Sequence, residues 1–87
     1  MLESIHGLKL SLTEVIITVT STGCTTADDF RIDVQDSQPP SVTFIREQAD
    51  PCKVIPHTVD LPFSLKRIGS AEFTVANPFS PGPIRRP

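Results

Sequence analysis

The sequence predicts an all-β protein: a small antiparallel β-sandwich or open barrel of five to six strands, immunoglobulin-like in general architecture. Three observations carry that expectation. Several short stretches alternate apolar and polar residues with a period of two, the spacing of a half-buried strand. These stretches are rich in Val, Ile, Thr and Phe, which fit a pleated sheet better than a helix. Clusters of Pro, Gly, Asp and Ser separate them at short intervals. With 87 residues, the chain has room for one domain and one modest core.

The first segment is the least regular. Leu8, Leu10 and Leu12 alternate on even positions, whereas Val15, Ile17 and Val19 alternate on odd ones. The phase therefore slips near Thr13 and Glu14, and either a β-bulge or a break between two short strands restores one buried face. A helix is the rival, because Ile5, Leu8, Leu12, Val15 and Val19 share a helical face and Ser11 to Glu14 has the spacing of a capping box. The β-branched run at 15–21 (VIITVTS) favours the strand, with Thr18 and Thr20 outward.

Residues 22–26 (TGCTT) break the pattern as a loop. At 29–35, Phe30, Ile32 and Val34 then alternate with Asp29, Arg31, Asp33 and Gln35, a strand wet on one side. Pro39 and Pro40 end that stretch. Val42, Phe44 and Ile45 mark a further strand at 41–47, and Ala49-Asp50-Pro51 opens the next loop. Val59, Leu61, Phe63 and Leu65 alternate over 58–65. Pro62 cannot donate to a ladder, so this strand is expected at a sheet edge or bulged there. Residues 66–70, with Gly69, suit a hairpin loop leading to a last strand at 71–76 through Ala71, Phe73 and Val75. The domain is expected to span 1–76. From 77 to 87 (NPFSPGPIRRP) the chain reads as a proline-rich extended tail with little to bury, loosely held.

Bulk properties exclude several functions. The net charge is -2 and the basic residues are scattered apart from Arg85 and Arg86, which argues against nucleic acid as a partner. No apolar run is long enough to span a bilayer. The N-terminus lacks the basic-then-apolar order of a signal peptide, while the cysteine pair favours an extracytoplasmic setting, periplasmic or secreted.

Cys24 and Cys52 are the only cysteines, and each lies in a turn-like break. If consecutive strands run antiparallel, their two loops share one end of the fold, and a disulfide joining them would constrain the unfolded chain by roughly 3 kcal/mol. The same geometry gathers Asp28, Asp29, Asp50 and His57 nearby. A sharper alternative is a zinc or copper site made by Cys24, Cys52 and His57, although paired ligands at finger-like spacing are lacking. A thiol nucleophile with His57 and Asp60 would need both residues on one strand face, against the alternation. No serine-nucleophile setting occurs, and an 87-residue sandwich encloses little volume for a substrate. The sequence therefore points to a non-catalytic module without a cofactor that contacts another protein at the disulfide-bearing loop end. Asp28, Asp29, Lys53 and His57 are the expected contact residues. The proline-broken edge at Pro62 points to a monomer, and the Pro78-x-x-Pro81 spacing offers a polyproline II ligand as a minor second route.

Overall fold

The computed structural model describes residues 3–70 and 72–80. Among them are six strands: β1 (Gly7–Leu10), β2 (Glu14–Ser21), β3 (Phe30–Gln35), β4 (Ser41–Arg46), β5 (His57–Ser64) and β6 (Thr74–Val75). They form two three-stranded sheets in the orders β1-β2-β5 and β3-β4-β6. All the ladders are antiparallel except β4 with β6. The chain is thus a small β-sandwich. The segment that could have wound into a helix is strand.

The alternation explains which face each strand buries. Val15, Ile17 and Val19 of β2 and Leu61 and Phe63 of β5 point inward from one sheet, and Phe30, Val42 and Phe44 from the other. The Phe44 and Phe63 ring centroids lie 5.3 Å apart, with Phe30 edge-on to Phe63 at 6.4 Å. Pro62 stands opposite Ile16 in the β2–β5 ladder, and β5 is an edge strand, the position where a missing donor is tolerated.

The phase slip resolves as a break, since β1 and β2 form a hairpin with Leu10 opposite Val15. The Ser11 hydroxyl accepts a hydrogen bond from the Glu14 N–H at 3.0 Å, so the helix-cap spacing serves a hairpin turn. The slip was expected to restore a common buried face, and here the expectation fails. Leu8 packs on the core, but Leu10 is 52% exposed and Leu12 at the turn is 99% exposed.

The closing hairpin at 66–70 is also corrected. A 3-10 turn at Leu65–Arg67 follows β5, with the Ser64 hydroxyl accepting from the Lys66 N–H. Ile68 is buried and draws the chain across the end of the sandwich, so β6 joins the opposite sheet. Gly69, at φ +83°, makes the turn that follows.

Residues 77–80 are held rather than loose. Asn77 is buried, and its side chain both donates to the Phe44 carbonyl and accepts from the Phe44 N–H, extending the β4–β6 ladder without backbone. The Pro78 carbonyl then accepts from Ile5 N–H, and Ser80 N–H donates to the Ile5 carbonyl. This segment links the β6 edge to the β1 edge and closes one side of the sandwich. The part of the tail holding Pro81, Arg85 and Arg86 lies outside the described residues, as does Ala71.

Candidate functional site

Two connections meet at one end of the sandwich. Residues 22–29 link β2 to β3 across the two sheets, and residues 47–56 link β4 back to β5. A Cys24–Cys52 disulfide joins them, with Cα atoms 5.6 Å apart, as two loops at a common end allow. General likeness to immunoglobulin domains goes no further than two packed sheets and a disulfide, because this bond joins loops rather than strands.

Asp50 is the polar centre of the end. Its carboxylate accepts from the Thr25 hydroxyl at 2.7 Å, the Thr22 N–H at 2.8 Å, the Cys52 N–H at 2.9 Å, and the Cys24 N–H and Ser21 hydroxyl at 3.1 Å. Partial burial of this carboxyl raises its pKa, but the hydrogen bonds from Thr25, Cys52, Thr22 and Cys24 outweigh that and hold it well below the ordinary carboxylate range. Both disulfide residues thus point their amides at the same anion. Arg46 extends the network. It donates to the Thr25 hydroxyl and the Thr20 carbonyl, forms a two-pronged pair with Glu3, and lies 4.9 Å from the Phe30 ring centroid. Among the described residues, no buried side-chain nitrogen or oxygen lacks a partner.

Glycine is required at one point. Gly23 has φ +124°, and a Cβ there would meet the Cys52 Cβ and a Val54 methyl at 3.0 Å. The Val54 N–H donates to the Thr22 carbonyl at 2.8 Å, so the second loop lies directly on the first.

The expected contact residues sit at this rim in different states. Asp28 and Lys53 are exposed. Asp29 is half-buried; its carboxylate closes the 3-10 turn Ala27–Asp29 by accepting from the Thr26 N–H, and its carbonyl accepts from Glu47 and Gln48. His57 opens β5 opposite Ser21, and its Nδ1–H donates to the Ile55 carbonyl. The sulfurs of Cys24 and Cys52 lie with an Asp50 oxygen within 4.8 Å of one another, and His57 is not in that group. Joined as a disulfide, the sulfurs are not thiolates, so the ligand set of Cys24, Cys52 and His57 would need reduction first. Asp60, the acceptor considered for a nucleophile, takes the Thr18 hydroxyl at 2.6 Å instead.

Sequence reasoning missed two features. Val54 and Ile55 are 56% and 67% exposed at the crest of the stapled loop. The signal was present: an aliphatic pair between Pro51 and Pro56, outside any alternation, has no strand to bury it. The Arg46–Glu3 pair had no comparable cue, because it joins residues from distant parts of the chain.

Comparison with protein-family models, curated proteins and solved structures finds no match for this chain. The class that fold and site define is a small β-sandwich with two loops stapled at one end, and its functional reading rests on that geometry.

Proposed function

We propose that the protein is a non-catalytic β-sandwich module that binds another protein through the disulfide-bearing end. The observation that carries this reading is the exposed Val54–Ile55 crest on a loop held by the Cys24–Cys52 bond and the Asp50 hydrogen bonds. Exposed aliphatic side chains on a mobile loop lose entropy when bound, whereas a loop already fixed by a cross-link loses little. Lys53 adjoins the crest in the chain, Asp28 is exposed on the facing loop, and His57 lies at the crest's base, so they supply charge and orientation around an apolar centre.

An extracytoplasmic setting, periplasmic or secreted, belongs to the same proposal, because the stapled form persists in an oxidising compartment. Among the described residues no helix is long and apolar enough to cross a membrane.

The test is affinity capture with wild-type protein as bait, followed by identification of the retained protein and titration of the purified pair. Ile55→Asp and Val54→Asp are expected to weaken the measured affinity at least tenfold, as for buried centres of interfaces. Asp28→Asn and Lys53→Ala should change it less, and Leu12→Asp at the opposite end should leave it unchanged. A partner whose affinity ignores all the rim substitutions would sink the proposal.

A further inference from the structure

The sheet β1-β2-β5 has one edge at β5, interrupted by Pro62, and one at β1. In the β1–β2 hairpin Gly7 stands opposite Thr18 and Leu10 opposite Val15, and the Ser11 N–H donates to the Glu14 carbonyl at 2.9 Å. Facing residues of an antiparallel pair alternate between bonded and non-bonded. Ser11, Lys9 and Gly7 are therefore the residues that bond to β2. The backbone N–H and C=O groups of Leu8 and Leu10 turn to the free side.

The chain returns to that free side at 78–80. The Pro78 carbonyl accepts from the Ile5 N–H at 2.8 Å, and the Ser80 N–H donates to the Ile5 carbonyl at 3.1 Å, a parallel bridge centred on Ile5 and Phe79. In such a pairing every second residue of the incoming chain turns its N–H and C=O to the sheet. Here those are the residues at 78, 80, 82 and 84. Pro78 has no N–H to give, and the Asn77 side-chain amide donates to the Glu3 carbonyl in its place at 2.9 Å. Ser80, Gly82 and Ile84 keep theirs. Pro81 and Pro83 fall on the alternate positions, where a missing N–H costs the ladder nothing. A shift by one residue would put both prolines on the ladder.

A bend in β1 sets the register. The His6 N–H donates to the Thr18 carbonyl at 2.7 Å although Gly7 is opposite Thr18, so His6 is the extra residue of a β-bulge. Its ring occupies the tail side of that bulge: Nδ1–H donates to the Ser80 carbonyl at 2.8 Å, and Nε2 accepts from the Thr20 hydroxyl at 2.7 Å. The span from Ile5 to Leu8 on β1 then matches the span from Phe79 to Pro81 on the tail.

We propose that residues 81–84 continue the 78–80 segment as a parallel strand on the free edge of β1, with Pro81 opposite Leu8, Pro83 opposite Leu10, and the Gly82 and Ile84 N–H groups donating to the Leu8 and Leu10 carbonyls. The occupant is this chain's own tail, because Ser80 is already tied to Ile5 and the next residues arrive tethered at high local concentration. Pro81 and Pro83 then leave the new outer edge short of donors, which guards it against pairing with another chain. Held in this way, the prolines are not free to serve a groove that reads polyproline II.

Amide hydrogen exchange on the oxidised full chain, read residue by residue by NMR, tests this. In the wild type the Leu10, Gly82 and Ile84 amides are expected to exchange at least about tenfold more slowly than in an unstructured chain. Gly82→Pro removes a ladder donor and should return Leu10 and Ile84 to the unstructured rate. Gly82→Ala keeps the N–H and should retain the protection. The amides of β2, central in its sheet, should be slow in all three proteins, which shows that each is folded. Gly82 and Ile84 amides that exchange at the unstructured rate in the wild type overturn the proposal, as does a Gly82→Pro variant with Leu10 and Ile84 still protected. Protection that disappears on dilution from about 1 mM to about 50 μM would place the tail on β1 of a second copy, and overturns it equally.

Discussion

The two ends of the sandwich are built on different principles. At the hairpin end each connection is closed by its own serine: Ser11 accepts from Glu14, Ser37 donates to the Pro39 carbonyl, Ser64 accepts from Lys66 and Ser70 accepts from Glu72. These bonds span two or three residues, and the long-range ties at this end are single backbone bonds, from Leu65 N–H to the Thr13 carbonyl and from Thr74 N–H to the Pro40 carbonyl. At the disulfide end the ties are long-range. Asp50 reaches residues 25 to 29 positions earlier, Arg46 reaches Glu3, and a covalent bond joins residues 28 apart. Local closure is sufficient to turn a chain, but only non-local closure fixes two irregular loops relative to each other. The exposed Val54 and Ile55 are held at the second kind of end.

The largest test of that contrast removes the covalent tie. Closing a loop of this length removes chain entropy worth about 3 to 4 kcal/mol from the unfolded state. Cys24→Ala with Cys52→Ala should therefore lower the unfolding free energy by a corresponding amount, with a steeper slope because the unfolded chain without its cross-link exposes more surface, in urea titration followed by circular dichroism. Folding that is equally stable with and without the bond would mean that the Asp50 cradle alone sets the geometry of the rim.

Asp50 comes next. Its carboxyl titrates below the ordinary carboxylate range in the folded protein. The stability it contributes is therefore fully present above the unfolded value near pH 4, and is lost as pH falls below that. Thermal unfolding between pH 7 and pH 2 should show a steep acid limb in wild type and a shallower one in Asp50→Asn. Because Asn directs an amide at the N–H groups of Thr22, Cys24 and Cys52, the variant should also melt lower at pH 7. Parallel acid limbs in the two proteins would move the acid sensitivity elsewhere.

The sequence shows the two ends to different extents, for physical reasons. Strand alternation is a local signal, so the buried residues of β2, β4 and β5 and the edge position of Pro62 were legible. The meeting of Cys24 with Cys52 was legible too, because it follows from chain reversal alone. The hairpin expected after β5 does not form, and nothing local in the sequence reveals that Ile68 finds the core and sends the following strand to the other sheet. Asn77 looks like the first residue of a loose tail in the sequence because a side chain that substitutes for backbone in a ladder has no periodic signature. At the site, the acids were visible as residues but not in their roles: Asp50 is an acceptor for two loops, and Asp29 closes a turn.

Glycines sharpen the comparison at smaller scale, since both ends use one with positive φ. Gly23→Ala combines an unfavourable backbone with contacts at 3.0 Å to Cys52 and Val54, which a cross-linked loop cannot easily relieve. Gly69→Ala carries the backbone cost alone, with open space around the new methyl group. Unfolding free energies should fall by about 2 to 3 kcal/mol for the first and about 1 kcal/mol for the second. Equal losses would show that the disulfide loop yields as readily as the open one.

The smallest expected effect on stability is at the hairpin tip. Leu12→Asp removes no buried contact and should change the unfolding free energy by less than about 0.5 kcal/mol, read from urea titration. A larger loss would show that the turn packs on the Leu65 segment through more than the Leu65 N–H to Thr13 carbonyl bond, and that the hairpin end is more than a plain closure of the fold.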